Sequence, residues 1–397
     1  MLCSTPTINH KGDNMRTRIF QKAQRFCATA VAATALFTGA AQAQTLKIGL
    51  IGPMTGAGAA WGFAAKGAMQ TLASEVNAKG GLEVGGKKHQ VEIVAYDDQY
   101  KAAEAIAAYQ RMVTREGVKY MVIQTSAPTM ALKQLVEDDK IVALTTSYTP
   151  AAIDDKTKFM FRAYSTATDF MPAYAAWMKG NLKERRMVML NPNDETGWSQ
   201  SKTTERLYKE NGFEVLAGEL YERSTKDFAP LLTKVIALKP EVMDLGASSP
   251  ATAGLIVRQA REAGYKGRFV QTGGAGWLEV VAAAGKEAAE GMVNILYANQ
   301  ADSGYQRIAA DYKKQFNGQT PNEILAVYYD AVSVLLAAIQ KGGDVNNTTK
   351  AAAAFSTVLP MKSLQGDEMT YAHQQIRTYD YVGVLKNGVP VVAGKVR

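Results

Sequence analysis

The sequence predicts an α/β fold with two doubly wound parallel sheets, one for each of two blocks along the chain. The first observation is that short apolar runs alternate with helix-length segments, a rhythm typical of parallel sheets that carry helices on both faces. The second is that several helical segments end at glycine, which favours the left-handed C-terminal cap; these are Gly80, Gly117, Gly212 and Gly264. The two blocks are residues 46–149 and 186–276.

The predicted elements follow one another in a regular order. Strands are predicted at residues 46–51, 91–96, 120–124, 141–145, 186–190, 214–220, 242–245 and 269–271. Helices are predicted at residues 60–78, 101–116, 130–138, 168–180, 199–211, 228–238 and 252–263. Two further helices (304–316 and 324–341) and a β-rich segment (377–396) complete the chain. Because doubly wound sheets bind ligands at the carboxyl ends of their strands, two facing sheets would form a cleft.

Residues 1–43 read as a secretory signal peptide. A basic segment (Arg16, Arg18, Lys22 and Arg25) precedes an apolar run at 27–37 and the small-residue site Ala41-Gln42-Ala43, which predicts cleavage before Gln44 and export to the periplasm. Met15 is an alternative start, because residues 1–14 lack targeting character. The apolar run is too short to span a membrane.

Composition excludes several classes of function. Without the leader the chain has 40 basic and 36 acidic residues, and it shows no dense cationic cluster of the kind that binds nucleic acid. Both cysteines, Cys3 and Cys27, lie in the leader, so the mature chain has no disulfide. Its length suffices for two domains stabilised by core burial.

A glycine-rich turn after the first strand raises the question of a dinucleotide cofactor. Gly56-x-Gly58 follows a strand and precedes a helix, but the third glycine, Gly62, comes one residue late for the phosphate-binding fingerprint. The acidic pair Asp97-Asp98 lies about twice as far along the chain as a ribose-binding acid should. We therefore expect a tight strand-to-helix turn and no nucleotide.

The mature chain offers no compelling catalytic or metal-binding set. Its two histidines, His89 and His373, are far apart and have no neighbouring ligands at metal-binding spacing. No G-x-S-x-G elbow occurs. We expect no enzyme activity, no metal and no cofactor.

Hydroxyl side chains cluster at two neighbouring strand ends, residues 124–129 and 145–150. Next to a helix N-terminus, with its free N–H groups and positive dipole end, hydroxyls can bind an anion without a fixed positive charge. Ordinary helix capping by Ser or Thr explains any single one of these residues equally well. Two adjacent clusters favour a site.

These segments carry a resemblance that covers almost the whole mature chain. The opening IGLIGPMTGAGAAWG, the strand VEIVAYDDQ, the block TSAPTMAL, the loop DETGWSQS and the segment IVRQAREAGYKGRFVQTGG resemble the periplasmic binding proteins of ABC importers, of the branched-chain amino acid type. The resemblance implies the type I fold, in which three crossover strands join two lobes. The implied lobes are residues 44–164 with 299–375 and residues 165–298 with 376–397.

The resemblance also implies site residues. Ser126, Ser147 and Thr149 match the positions that hold a ligand carboxylate in the leucine/isoleucine/valine-binding relatives, and Trp61 matches an aromatic wall. From the other lobe the implied contacts are Thr196, Ser248 or Ser249, and Gly273. Aromatic residues at predicted cleft edges extend the set to Tyr148, Trp198 and Trp277, with Tyr100 as a further candidate.

One departure from the family bears on the ligand. Amino-acid binders pair the ligand ammonium with an acidic residue after the strand at 269–271, where this chain reads Thr272-Gly273-Gly274-Ala275-Gly276. An unpaired buried ammonium is costly. Large aromatic side chains suit an apolar or planar ligand body. The combined prediction is a small carboxylate with an aromatic or bulky apolar body.

The predicted function is therefore that of a monomeric solute-binding protein that closes over its ligand and delivers it to a membrane permease. A periplasmic sensor of the same fold, which signals to a receptor or kinase, is the alternative from another class. An amide, a urea or a branched-chain amino acid is the alternative ligand.

Overall fold

The computed structural model describes residues 1–2, 4–7 and 44–397. The predicted signal peptide, residues 1–43, therefore lies outside the described residues except for its first few positions. The chain divides into two units, Met1–Gln44 and Thr45–Arg397, and the fold described below is that of the second. None of the described helices is long and apolar enough to cross a lipid bilayer.

The described residues form sixteen strands and eleven α-helices. The strands are β1 (Gln44–Gly52), β2 (Leu82–Val84), β3 (Lys87–Asp97), β4 (Tyr120–Ile123), β5 (Val142–Thr145), β6 (Met160–Arg162), β7 (Arg186–Pro192), β8 (Glu214–Tyr221), β9 (Val242–Asp244), β10 (Arg268–Gln271), β11 (Val293–Leu296), β12 (Met361–Lys362), β13 (Glu368–Ala372), β14 (Gln375–Arg377), β15 (Asp380–Lys386) and β16 (Val389–Val396). The helices are α1 (Ala59–Ala78), α2 (Ala102–Thr114), α3 (Ser126–Asp138), α4 (Ala167–Asn181), α5 (Glu195–Glu210), α6 (Ala229–Ile236), α7 (Pro250–Glu262), α8 (Trp277–Ala284), α9 (Ser303–Gln315), α10 (Leu325–Gly342) and α11 (Thr348–Val358).

Two sheets are formed, as the alternation of strands and helices predicts. The first has the order β12-β13-β14-β6-β5-β4-β1-β3-β2, and the second has the order β16-β15-β11-β10-β9-β7-β8. In each sheet the strand order reverses beside the first strand, β1 or β7. The pairs β1–β4, β4–β5, β7–β8 and β7–β9 are all parallel. Such a reversal leaves a crevice at the carboxyl ends of the strands, where ligands of doubly wound sheets bind.

The chain passes between the sheets three times, after β6, after β11 and after β14. Three crossings are the number that the resemblance implies. The last passage falls between Arg377, which pairs with Thr370 in the first sheet, and Asp380, which pairs with Val396 in the second. The last passage between the sheets therefore comprises residues 378–379.

Both faces of strand β7, in the centre of the second sheet, are buried, which explains its nearly continuous apolar sequence. Met187 and Met189 of β7 pack into one apolar cluster, whereas Val188 and Leu190 pack into another. Successive strand residues point to opposite faces, so a strand covered by helices on both sides needs apolar residues at every position.

Helix starts are the main difference from the predicted elements. Helix α3 begins at Ser126, four residues before its predicted start, and α5 begins at Glu195 instead of residue 199. The predictions followed apolar periodicity, which is weak in the first turn, where polar residues satisfy free N–H groups. Both shifts move hydroxyl residues from loops into helix N-termini, which face the cleft.

Candidate ligand-binding site

A cavity of about 50 Å³ lies between the carboxyl ends of the two sheets. Its small volume, room for a few water molecules, shows that its two sides are closed onto each other. The first side contributes Trp61, Tyr100, Gln124, Thr125, Ser126, Thr146, Tyr148, Ile324 and Tyr328, the second contributes Thr196, Ala247, Gly274 and Ala275, and the crossing segments contribute Tyr164 and Tyr297. Among the residues that the structure describes, no charged side chain lines this cavity.

The amino end of α3 supplies the polar part of the cavity. Thr125 is the N-cap residue in extended conformation, and Ser126 begins the helix. The Ser126 hydroxyl oxygen accepts hydrogen bonds from the Thr196 hydroxyl (2.9 Å) and the Tyr148 N–H (3.1 Å). The buried Thr125 hydroxyl has no hydrogen-bond partner among the described residues. A helix N-terminus with an unsatisfied hydroxyl is suited to an anionic or carbonyl oxygen.

Trp61 forms an apolar wall of the cavity in the first helical turn after β1. It is 9% exposed, and its indole N–H donates a 2.6 Å hydrogen bond to the Ala275 carbonyl on the opposite side. The turn requires glycine at Gly62, since a Cβ there would lie 2.1 Å from the Pro53 carbonyl oxygen. The glycine-rich motif therefore brings a helix close to the strand end and positions a tryptophan at the cleft.

On the other side of the cavity, a second glycine allows a helix to start close to a strand end. A Cβ at Gly197 would lie 1.8 Å from the Pro192 carbonyl oxygen, so only glycine lets α5 start this close to the end of β7. Asp194 caps the helix by accepting hydrogen bonds from the Thr196 and Gly197 N–H groups. Together these contacts hold the Thr196 hydroxyl opposite Ser126.

Tyrosines from the crossing segments form the remaining wall. The ring of Tyr164 lies 5.9 Å from Tyr148 and 5.2 Å from Tyr297, measured between centroids, and the hydroxyls of Tyr148 and Tyr297 are in contact. Burial raises the pKa of Tyr148 and Tyr164, and it raises the pKa of Tyr100 to about 12. These side chains are neutral at physiological pH and offer aromatic surface with hydroxyl groups.

Contacts across the cavity show that the structure is in a closed arrangement. In addition to the Trp61–Ala275 and Thr196–Ser126 bonds, the Gly276 N–H donates to a Glu323 carboxyl oxygen at 2.9 Å. The guanidinium of Arg223, which follows β8, lies 4.0 Å from the centroid of the Tyr100 ring. Such bonds join groups from both sheets, so they can form only when the two halves are together.

Five of the predicted site residues line the cavity or flank it directly. Trp61, Ser126, Tyr148 and Thr196 line it, and Gly273 precedes the lining residue Gly274. Tyr100, the further candidate, also lines it.

The other five predicted residues lie elsewhere. Ser147 and Thr149 are buried, and their carbonyl oxygens accept hydrogen bonds from the buried Arg162 guanidinium, which shapes the loop after β5. The Ser248 hydroxyl accepts a hydrogen bond from the Tyr221 hydroxyl and donates one to the Leu245 carbonyl. The remaining two are tryptophans.

Trp277 packs into the apolar cluster of the second sheet. Trp198 is 51% exposed and donates its indole N–H to the Asn193 side chain at 2.9 Å. Although it is only two residues from Thr196, it points outward, because residues two apart on a helix do not share a face. Neither tryptophan lines the cavity.

Several lining residues were not predicted from the sequence, notably Tyr164, Tyr297 and Tyr328. Tyr164 and Tyr297 follow β6 and β11, two short strands that the pattern did not reveal, and Tyr328 lies in the first turn of α10. A tyrosine within two residues of the end of a short buried strand is the signal that could have identified the first two.

Two acidic side chains meet at the edge of the cavity. Glu323 precedes the lining residue Ile324 and is 1% exposed, with one carboxyl oxygen unpaired among the described residues. Burial, and then the charge of Glu279, raises the pKa of Glu323 to about 8. Burial also raises the pKa of Glu279, which accepts a hydrogen bond from Asn322 at 3.2 Å.

We expect the stability of the protein to fall as the pH rises from about 5 to about 8. Burial raises the pKa of five carboxyl groups to between about 6 and about 8: Asp98, Asp244, Glu323, Asp330 and Asp380. The folded state therefore binds these protons more tightly than the unfolded state. The stability gained in this way is fully present below the pKa that the groups have in the unfolded state. It is lost as the pH rises through their pKa values in the folded state.

The melting temperature at pH 5.5 and at pH 8.5 measures this effect, and Glu323→Gln should make the difference smaller. The exposed substitution Glu83→Gln is the matched control. A melting temperature that rises towards pH 8.5 would contradict the raised pKa values of these buried carboxyl groups.

The described residues contain no group of three or more His, Cys, Asp or Glu side chains placed to hold a metal ion. The polar groups of the cavity are hydroxyls, one amide, the Trp61 indole N–H and backbone groups. Their chemistry is that of hydrogen bonding to a ligand.

Residues 45–388 match the sequence model of a family described as periplasmic binding protein. The leucine-, isoleucine-, valine-, threonine- and alanine-binding protein of Pseudomonas aeruginosa is 29% identical over 348 residues, covering 86% of this chain and 91% of that protein.

Two solved structures share the fold. The leucine-binding protein LivK of Thermotoga maritima has a TM-score of 0.79 at 23% identity, covering 89% of this chain and 99% of that one. A solute-binding protein of an ABC transporter from R. palustris, in complex with benzoate, has a TM-score of 0.77 at 19% identity, covering 88% and 96%.

These relatives are binding proteins of transport systems, which confirms the predictions of a binding protein instead of an enzyme and of similarity to the branched-chain amino acid type. The chain belongs to the periplasmic binding protein family and has its type I fold.

Proposed function

We propose that this protein is the solute-binding component of an ABC import system, exported to the periplasm, and that it captures a small carboxylate with an aromatic or bulky apolar body. The observation that carries the proposal is the composition of the cavity. Six aromatic side chains surround hydroxyls and a helix N-terminus, and none of the described residues that line it carries a charge.

In this account the carboxylate of the ligand lies at the start of α3, against the unpaired Thr125 hydroxyl and the free N–H groups of the first turn. The apolar body packs against Trp61 and the tyrosines. Burial of one aromatic ring contributes about 2–3 kcal/mol. The benzoate bound by the R. palustris relative has this chemistry, which supports the proposal.

Closure explains how capture leads to delivery. The ligand bridges groups that belong to different sheets, so it stabilises the closed state over the open state. A membrane permease that recognises the closed state would then receive only loaded protein. A monomer suffices for this cycle, and nothing in it requires covalent chemistry.

A branched-chain amino acid is the second candidate ligand. The P. aeruginosa relative is named for such ligands, and Glu323, one residue from the cavity lining, has an unpaired carboxyl oxygen. Against this candidate, burial raises the pKa of Glu323 to about 8, so it is largely neutral at pH 7 and a weak partner for an ammonium.

Titration calorimetry with benzoate, benzamide and leucine separates these candidates. The proposal predicts that benzoate binds at least about 10-fold more tightly than benzamide or leucine. Tighter binding of leucine, with loss of that binding in Glu323→Gln, would replace the carboxylate proposal with the amino-acid one.

Thr125→Val should weaken carboxylate binding by about 10-fold, the value of one hydrogen bond to a charged group. Stability should stay unchanged or rise, because the buried hydroxyl that is removed has no partner among the described residues. Calorimetry and thermal melting measure the two effects.

Thr129→Val is the matched control, because the Thr129 hydroxyl is hydrogen-bonded to the Thr145 hydroxyl at 2.7 Å and does not line the cavity. It should lower stability and leave affinity unchanged. If Thr129→Val weakened carboxylate binding and Thr125→Val did not, Thr125 would not contact the ligand.

A further inference from the structure

A second concave surface lies at the free edge of the second sheet, between strand β8 and helix α5. It has a volume of about 590 Å³ and is lined by Trp198, Ser201, Lys202, Glu205, Arg206, Lys209, Gly218 and Leu220. We refer to these eight residues as the α5–β8 groove. The groove is separate from the ligand cavity, and the two share no lining residue.

Two large apolar side chains are exposed in this groove. Trp198 is 51% exposed and Leu220 is 44% exposed. The hydrogen bond from the Trp198 indole to Asn193 holds the ring in place, so little conformational freedom would be lost on binding. Preorganised, exposed aromatic residues of this kind are typical of the anchoring points of protein interfaces.

Three cations and one acid line the same groove. Lys209 pairs with Glu205 and Arg206 pairs with Glu210, both four residues apart along α5 and well exposed. Exposed pairs of this kind contribute little and exchange partners readily. Lys202 has no ion-pair partner among the described residues. The positive charge of the groove is therefore available to an acidic partner.

Strand β8 is the last strand at its edge of the second sheet, so one side of its backbone is unpaired there. Gly218 is exposed in the groove, and its missing side chain leaves the backbone open to approach. An open strand edge beside apolar side chains fits an extended protein segment. A concave shape fits a lipid surface less well, because a membrane is flat on this scale.

We propose that the α5–β8 groove is a docking site for an acidic segment of a protein partner, anchored by a large apolar side chain that inserts between Trp198 and Leu220. Helix α5 carries the ligand-cavity residue Thr196 on one face and Trp198 on another. A partner docked in the groove therefore contacts the helix that takes part in closure.

The test uses the purified protein and an eight-residue peptide in which one Phe and one Leu lie among six Asp and Glu residues. We expect this peptide to bind at least about 10-fold more tightly than the same peptide with Lys in place of the acids. Lys202→Glu and Leu220→Ser should each weaken binding about 5-fold or more, measured by NMR titration.

Lys313→Glu, an exposed charge reversal on α9, is the matched control and should leave peptide binding unchanged. Circular dichroism melting verifies that each variant folds, and calorimetry with benzoate shows whether the ligand cavity is intact, so failure of docking and failure of the ligand proposal remain distinguishable. Equal binding of the acidic and basic peptides, or binding insensitive to both groove variants, would overturn the proposal. So would Lys202-dependent binding to phosphatidylglycerol vesicles without peptide binding, which would indicate a membrane surface.

Discussion

Replacing Trp61 with alanine is expected to weaken binding of an aromatic carboxylate by about 100-fold. The substitution removes an aromatic wall whose burial against a ligand contributes about 2–3 kcal/mol. It also removes the hydrogen bond from the indole to the Ala275 carbonyl across the cavity, so the closed state loses one of its own contacts. Calorimetry with benzoate measures the affinity.

Trp198→Ala is the matched control. Both tryptophans lie in the first turn of a helix that follows a strand, but Trp198 is half-exposed and lies outside the cavity. The affinity for benzoate should be unchanged in this variant. Equal losses in the two variants would contradict the assignment of Trp61 to the ligand.

Replacing Ser126 with aspartate is expected to have a larger effect on carboxylates. Ser126 lies in the first turn of α3, where the proposed carboxylate binds, and it is 1% exposed. Two like charges about 4 Å apart repel each other by about 4 kcal/mol near a protein surface. We therefore expect benzoate affinity to fall by about 100-fold or more.

Ser126→Asn separates charge from size, because asparagine has nearly the same shape and no charge. It should reduce benzoate affinity only several-fold. The neutral ligand benzamide should respond similarly to both substitutions. If aspartate and asparagine weaken benzoate binding equally, the ligand carboxylate does not lie at this helix.

Much of the fold could be predicted from the sequence because its two periodicities are strong. The apolar strands of the two blocks and the long helices α1 and α10 each bury a continuous face, and the glycines that end helices have the expected positive φ, as at Gly117 and Gly264. The strands β6 and β11 were not predicted because three or four buried residues do not show a period of two. The pairing of β14 with β6 depends on contacts across more than 200 residues.

The site could be predicted in part. Trp61, Ser126 and Thr196 were predicted through the family resemblance, and in the structure each follows a strand at a turn that requires glycine or a helix cap. Ser147 and Thr149 were predicted from the hydroxyl cluster at residues 145–150 and from the resemblance, whereas here Arg162 donates hydrogen bonds to their carbonyl oxygens. Which side of a helix faces the ligand is set by tertiary packing. The direction of Trp198 could therefore not be read from its position next to Thr196.

A crystal structure of the protein with benzoate would show where the ligand carboxylate and ring lie. We expect the carboxylate at the amino end of α3, within hydrogen-bond distance of the Thr125 hydroxyl, and the ring against Trp61 between the two sheets. A ligand bound with its carboxylate away from α3, or bound only outside this cavity, would contradict it.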